Sequence, residues 1–201
     1  MKQGQLPKSW KDVTVPQLIE IETIKHDSSI DKEPYPYITR GIYLLSVFTK
    51  KPFSYYESEI SVTELKLLIA SLDFLNEYPS EKAVNKFKCG GYTWRVKHKI
   101  NSLKASQLID HCEYTKDDKK ILSNCSKLLA LYCTPYKFFR KVEMTDEEKS
   151  KILLNAPINV IYPLTVFFCK VYNSFLENIP VSLNKEMQKL MKEAKELQTA
   201  H

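Results

Sequence analysis

The sequence predicts a mainly α fold, with internally duplicated helical units, one central β-hairpin and a C-terminal amphipathic helix. Three observations carry this. The 201 residues include only four glycines, and the aliphatic residues recur at helical spacing. Helix-capping signals stand in front of several of those periodic runs. One Gly-Gly pair, Gly90-Gly91, interrupts an alternating stretch near the middle. Hydrophobic residues make up 43% and aromatics 11% of the chain, enough for a packed core.

The first helix is announced by Val13-Thr14-Val15-Pro16-Gln17-Leu18. Thr14 is the cap, Gln17 reaches back to it, and Pro16 sits in the first turn, where it forfeits no internal hydrogen bond. Val13 and Leu18 are spaced as a hydrophobic staple. This helix should run to about His26. A second is expected over 37–49, with Ile38, Ile42, Leu45 and Phe48 at helical spacing and Pro52 beyond its end. After the aromatic link Phe53-Ser54-Tyr55-Tyr56, the same grammar returns. Ser61 caps, Glu64 completes the box, Ile60 and Leu65 form the staple, and this third helix ends before Pro79.

Phe87 to Val96 alternates around Gly90-Gly91, which reads as a β-hairpin with a tight two-residue turn. Tyr92, Trp94 and Val96 share one face, and Thr93, Arg95 and Lys97 the other. Beyond it the first half recurs. Gln17-Leu18-Ile19-Glu20 is matched by Gln107-Leu108-Ile109-Asp110. Leu44-Leu45-Ser46-Val47-Phe48 is matched by Leu128-Leu129-Ala130-Leu131-Tyr132, and Ile60-Ser61-x-x-Glu64 by Met144-Thr145-x-x-Glu148. The predicted organisation is a helical unit at 1–80, a basic hairpin at 81–101 and a second helical unit with C-terminal helices at 102–201. The last elements are an apolar helix from Leu164 to Asn178 and an amphipathic one from Ser182 to about Gln198. Leu183, Met187, Leu190 and Met191 lie on one face of the latter.

Enzyme signatures are missing. The sequence contains no phosphate-binding glycine motif, no H-E-x-x-H and no G-x-S-x-G. Among the four histidines, only His111 adjoins a cysteine. Adjacent helical residues diverge by roughly 100°, so His111 and Cys112 cannot serve one metal or one nucleophile–base pair. The expectation is Cys112 in the core and His111 on the surface. Asp146, Glu147 and Glu148 read as first-turn carboxylates meeting the helix dipole. Five cysteines with no C-x-x-C pair read as thiols of a reducing compartment. The first residues carry no apolar secretion segment, and the longest apolar run falls short of a membrane span. The reading is therefore non-enzymatic, with no cofactor, no metal and no membrane partner.

Two surfaces are candidate protein interfaces. One is the hairpin, through Lys86, Lys88, Tyr92, Trp94, Arg95 and Lys97. The other is the last helix, through Leu183, Met187, Leu190 and Met191. The formal net charge of +6 permits nucleic acid at the basic ribbon without demanding it.

The opening Leu6-Pro7-Lys8-Ser9-Trp10-Lys11-Asp12-Val13-Thr14-Val15-Pro16-Gln17-Leu18 resembles the start of small virion and tail-assembly proteins of tailed bacteriophages, particularly crAss-like phages. In these, a Leu-Pro-x-x-Trp-x-x-Val/Ile-Thr entry leads into a helix containing Gln. Gly91-Tyr92-Thr93-Trp94-Arg95-Val96 followed by Leu103-Lys104-Ala105-Ser106-Gln107-Leu108-Ile109-Asp110 is similar to a second such block, with Lys104 where a threonine often stands. The resemblance implies a non-catalytic virion protein made in the host cytoplasm: a ring subunit in the head-to-tail connector or tail barrel. Its partners would be homo-oligomeric neighbours, the portal and tail components. The alternatives are a tail assembly chaperone, which binds a tail or tape-measure protein, and a small nucleic-acid-binding module.

Overall fold

The computed structural model describes residues 6–80, 82–99 and 103–175. The chain is mainly helical, with one small antiparallel sheet. The eight α-helices among the described residues are α1 (Val15–Lys25), α2 (Pro36–Thr49), α3 (Phe53–Ser58), α4 (Val62–Ala70), α5 (Ala105–Thr115), α6 (Ile121–Tyr132), α7 (Asp146–Leu153) and α8 (158–175). The strands are β1 (Lys86–Cys89), β2 (Tyr92–Val96), β3 (Cys133–Lys137) and β4 (Arg140–Lys141), paired in that order. The predicted amphipathic helix at 182–198 lies outside the described residues.

The capping grammar works locally. In α1, Gln17 Oε1 accepts from both the Thr14 amide and its hydroxyl, each at 3.0 Å. Ser61 Oγ accepts from the Glu64 amide at 3.2 Å at the start of α4. At α7 the box is reciprocal: Thr145 Oγ1 accepts from the Glu148 amide at 3.2 Å, and Glu148 Oε2 accepts from the Thr145 amide at 2.8 Å. At α5, Gln107 Oε1 accepts from the Lys104 amide at 3.3 Å, but the lysine side chain has no oxygen to return the bond.

α1 packs on α2 and α2 on α4; α5 packs on α6 and α6 on α7. One continuous core joins both groups. Leu18 and Ile21 of α1, Leu45 and Phe48 of α2, and Leu128, Leu129 and Tyr132 of α6 meet Ile158, Ile161, Leu164 and Phe168 of α8. Tyr132 and Phe168 stack at 3.7 Å between ring centres. The backbone seals the junction, with Thr14 bridged to Pro157 and the Ile158 amide donating to Val13 O at 2.9 Å. α2 and α4 approach closely at Gly41, where a Cβ would sit 2.6 Å from Ile69 Cδ1.

Several expectations are corrected. The third capped helix ends before Pro79 as expected, at Ala70, but a short 3-10 turn over Asp73–Asn76 follows it. The aromatic link after Pro52 is itself helical, as α3. The last described helix starts at 158 rather than after Pro163. Ile158 and Ile161 are buried, and their burial outweighs the one backbone bond Pro163 removes. The hairpin is not a lone ribbon. β3 pairs along the free side of β2 (Thr93 opposite Tyr136, Val96 opposite Cys133) and turns into β4, so the sheet draws strands from both sides of residue 101. A two-stranded ribbon is marginal alone, and the added strands supply what it lacks. His111, expected on the surface, is fully buried, and Cys112, expected in the core, is half-buried. α5 is rotated so that His111 meets Tyr132 of α6.

Candidate interaction surface

The sheet consists of two hairpins with the same kind of turn. Gly90 and Gly91 have φ of 58° and 78°; Phe138 and Phe139 have φ of 47° and 65°. Two consecutive left-handed residues define the tight turn that suits the strand twist, and the residues that adopt it freely are Gly, Asn and Asp. The glycines have a reason to be where they are. The first turn lies on α7, and a Cβ on Gly90 would come within 2.4 Å of Ile152 Cγ2.

The second turn has no such cover. Phe138 is 86% and Phe139 96% exposed. A bulky side chain in this backbone region is strained, by about 1–2 kcal/mol per residue. The two rings are flanked by the exposed cations Lys137, Arg140 and Lys141. Lys141 is held by Glu143 at 2.6 Å. Lys137 and Arg140 enter no ion pair among the described residues, and Lys137 lies 5.8 Å from the centre of the Tyr92 ring.

The residues singled out in the first hairpin divide by face. Trp94 is wholly buried. Its Nε1 donates to Cys89 O at 3.0 Å, and Phe87 stacks on it at 6.2 Å. Tyr92 is half-buried against it. Lys86, Lys88, Arg95 and Lys97 are exposed on the outer face, where Arg95 lies 4.4 Å over the Tyr136 ring. Leu183, Met187, Leu190 and Met191 lie outside the described residues.

A second surface was missed at the sequence level. An open groove of about 610 Å³ is lined by Trp10, Tyr37, Phe74 and Tyr78, with Asp73 and Glu77 among its polar residues. Trp10 Nε1 donates to Glu77 O at 2.8 Å, which ties the opening segment to the chain after α4. Trp10 meets Phe74 edge-on at 5.6 Å, and Tyr78 stacks on Tyr162 at 5.0 Å. Tyr78 donates to Glu22 Oε2 at 2.7 Å, and burial together with that carboxylate holds its phenol un-ionised far above the usual range. Tyr37 is mostly exposed. Asp73 and Glu77 are exposed, and neither enters an ion pair among the described residues. The tryptophan was the available signal, as a large apolar residue outside any periodic run.

Two thiols and one imidazole are turned inward. Burial pushes the Cys125 and Cys133 thiols up to about 12, so they stay protonated at neutral pH. His111 Nδ1 lies 2.8 Å from the Tyr132 hydroxyl, and its Nε2 is buried with no partner. Burial lowers its pKa to about 4, which keeps the ring neutral. Next to it, Cys112 Sγ lies 2.9 Å from the Tyr172 hydroxyl, a contact that with burial raises the Tyr172 phenol to about 12. A neutral imidazole and protonated thiols sealed in a core offer neither a nucleophile nor a proton relay to solvent. Among the described residues no three His, Cys, Asp or Glu side chains are grouped to hold a metal ion, and no helix is long and apolar enough to cross a membrane. No protein-family model, curated protein or solved structure matches the chain.

Proposed function

We propose that this chain is a non-enzymatic docking subunit of a larger protein assembly. The observation that carries the reading is the Phe138-Phe139 turn: two exposed, strained aromatics with a cationic surround, which no described residue of the chain covers. Contiguous apolar groups held out in solvent mark interaction sites. The setting that fits the resemblance of the opening segment is a tailed-bacteriophage virion, with the chain as a ring subunit in the head-to-tail connector or tail barrel. In this reading the two helical groups are copies of one unit. The packing order α1–α2–α4 recurs as α5–α6–α7, each beginning at a Gln-closed cap. Leu183, Met187, Leu190 and Met191 supply a further docking face.

Mass spectrometry of purified particles tests the assignment. A stoichiometric signal at ring copy number is expected. Presence in infected cells but absence from mature particles would replace it with the assembly-chaperone reading. One observation favours a second function: the outer sheet face gathers Lys86, Lys88, Arg95 and Lys97 around Tyr136. Duplex nucleic acid bound there should dissociate steeply with salt and bind less well to Lys88→Ala with Lys97→Ala. Binding that ignores both salt and these substitutions removes it.

A further inference from the structure

We propose that copies of this chain associate head to tail, the Phe138-Phe139 turn of one copy docking in the groove lined by Tyr37, Phe74 and Tyr78 of the next. The inference rests on the docking-subunit reading and names its partner as a second copy.

The two surfaces are complementary in three respects. The turn presents two phenyl rings, and the groove offers the exposed Tyr37 and Tyr78 and the half-buried Phe74, with Trp10 buried and stacked on Tyr78 at 6.5 Å. The groove holds about 610 Å³, within the range of pockets that enclose drug-sized molecules, so two rings are a reasonable load. The charges are opposite: Lys137 and Arg140 flank the rings, while Asp73 and Glu77 line the groove, and all four lack an ion-pair partner among the described residues. None of the turn residues lines the groove of its own chain.

A contact between two different patches is heterologous. Repeated, it closes into a ring or extends as a filament, depending on the rotation between neighbours. The sheet edges are poor alternatives. β4 has only two residues, and β1 carries Lys86 and Lys88. Short, lysine-bearing edges resist strand addition.

Sedimentation velocity on the full chain, up to roughly millimolar concentration, tests the contact. The wild type should associate with concentration and dissociate as salt screens the rim charges. Phe138→Asn with Phe139→Gly suits the turn geometry and leaves the core untouched, so loss of association in this variant is not loss of fold. Asp73→Lys with Glu77→Lys disables the groove at exposed positions. Each variant alone should weaken association by roughly tenfold or more. Mixed together they should form dimers and nothing larger, since one intact turn then meets one intact groove. A wild type that stays monomeric, variants that associate as well as it does, or a mixture without dimers each overturns the proposal. A monomeric chain still found at ring copy number in particles would remove this contact and leave the virion assignment standing.

Discussion

Acidification should expose His111. The ring is wholly buried, with Nδ1 against the Tyr132 hydroxyl and Nε2 facing no acceptor. Whichever ring nitrogen takes the added proton, the resulting imidazolium would be held in the core with only the Tyr132 hydroxyl as a hydrogen-bond partner. Burial accordingly takes its pKa from 6.5 to about 4. The sign follows from proton counts. Between those values the unfolded chain binds a proton that the folded chain refuses, so stability rises with pH across the window. The stabilisation is complete above about pH 6.5 and is lost as pH falls towards 4. The full shift corresponds to about 3 kcal/mol, and at about pH 5 the folded state should already have lost about 2 kcal/mol.

Urea unfolding followed by far-ultraviolet circular dichroism, at about pH 7.5, 6 and 5, measures this. The reference is His111→Gln, which keeps a hydrogen-bonding group near Tyr132 and does not titrate. The variant is expected to be less stable at neutral pH and to lose much less on acidification. The readout is the difference between the two pH slopes, so a uniformly destabilised variant does not confuse it. Carboxylates such as Glu148, whose pKa is lowered by the Thr145 backbone and hydroxyl, contribute equally to both proteins and at lower pH. Parallel slopes for wild type and variant would refute the assignment of a neutral, buried His111.

Three further outcomes follow from geometry. Gly90→Ala combines a left-handed φ with a 2.4 Å clash against Ile152, while Gly91→Ala meets nothing within 4 Å. The free energy of urea unfolding should therefore fall by about 2–4 kcal/mol in the first and only about 1 kcal/mol in the second; equal losses would contradict the docking of this turn on α7. Phe138→Asn with Phe139→Gly should raise the stability of the monomer by about 1–2 kcal/mol, because Asn-Gly adopts the turn without strain, and thermal unfolding below the association range reads this directly. Cys125 and Cys133 should react with a thiol reagent at neutral pH only as fast as the protein unfolds; prompt modification would show that they are not sealed in the core.

What was legible in the sequence is what local chemistry determines. Thr14 with Gln17 and Thr145 with Glu148 form their boxes, while Ser61 accepts from the Glu64 amide without a returning bond from the Glu64 side chain. Gly90-Gly91 marks its turn because glycine reaches positive φ without a Cβ penalty. The second hairpin broke every local rule. Pro135 stands in an interior strand, where its missing N–H leaves a donor gap, and Phe-Phe is a poor sequence for a left-handed turn. Its conformation is set from outside, by the unpaired side of β2 and by α6 delivering Cys133 beside Val96. The burial of His111 was hidden for a related reason. On an amphipathic helix His111 and Cys112 are neighbouring candidates for the inner face, and only the position of Tyr132 on α6 chooses between them.

The same departure from local rules gives the Phe138-Phe139 turn its meaning. Among the described residues the two rings make no buried contact, and their backbone is strained in a way that two other residues would relieve. Most sheet cores gain from their aromatics; in the proposed self-association the gain comes from the groove of the next copy. The strain is present whether or not a partner is bound, so it does not weaken docking. The hairpin instead fixes both rings in position beforehand, which reduces the conformational freedom lost on association. Covering each ring is worth about 1.5–3 kcal/mol, and two together exceed any single rim ion pair at about 0–1 kcal/mol. The aromatics should therefore dominate affinity, and Lys137 and Arg140 should govern encounter rate and salt dependence. A charge reversal at Arg140 is expected to slow association and leave dissociation nearly unchanged, whereas removing the rings should speed dissociation. If the two classes of substitution act on the same rate constant, the division of roles between rings and cations is wrong.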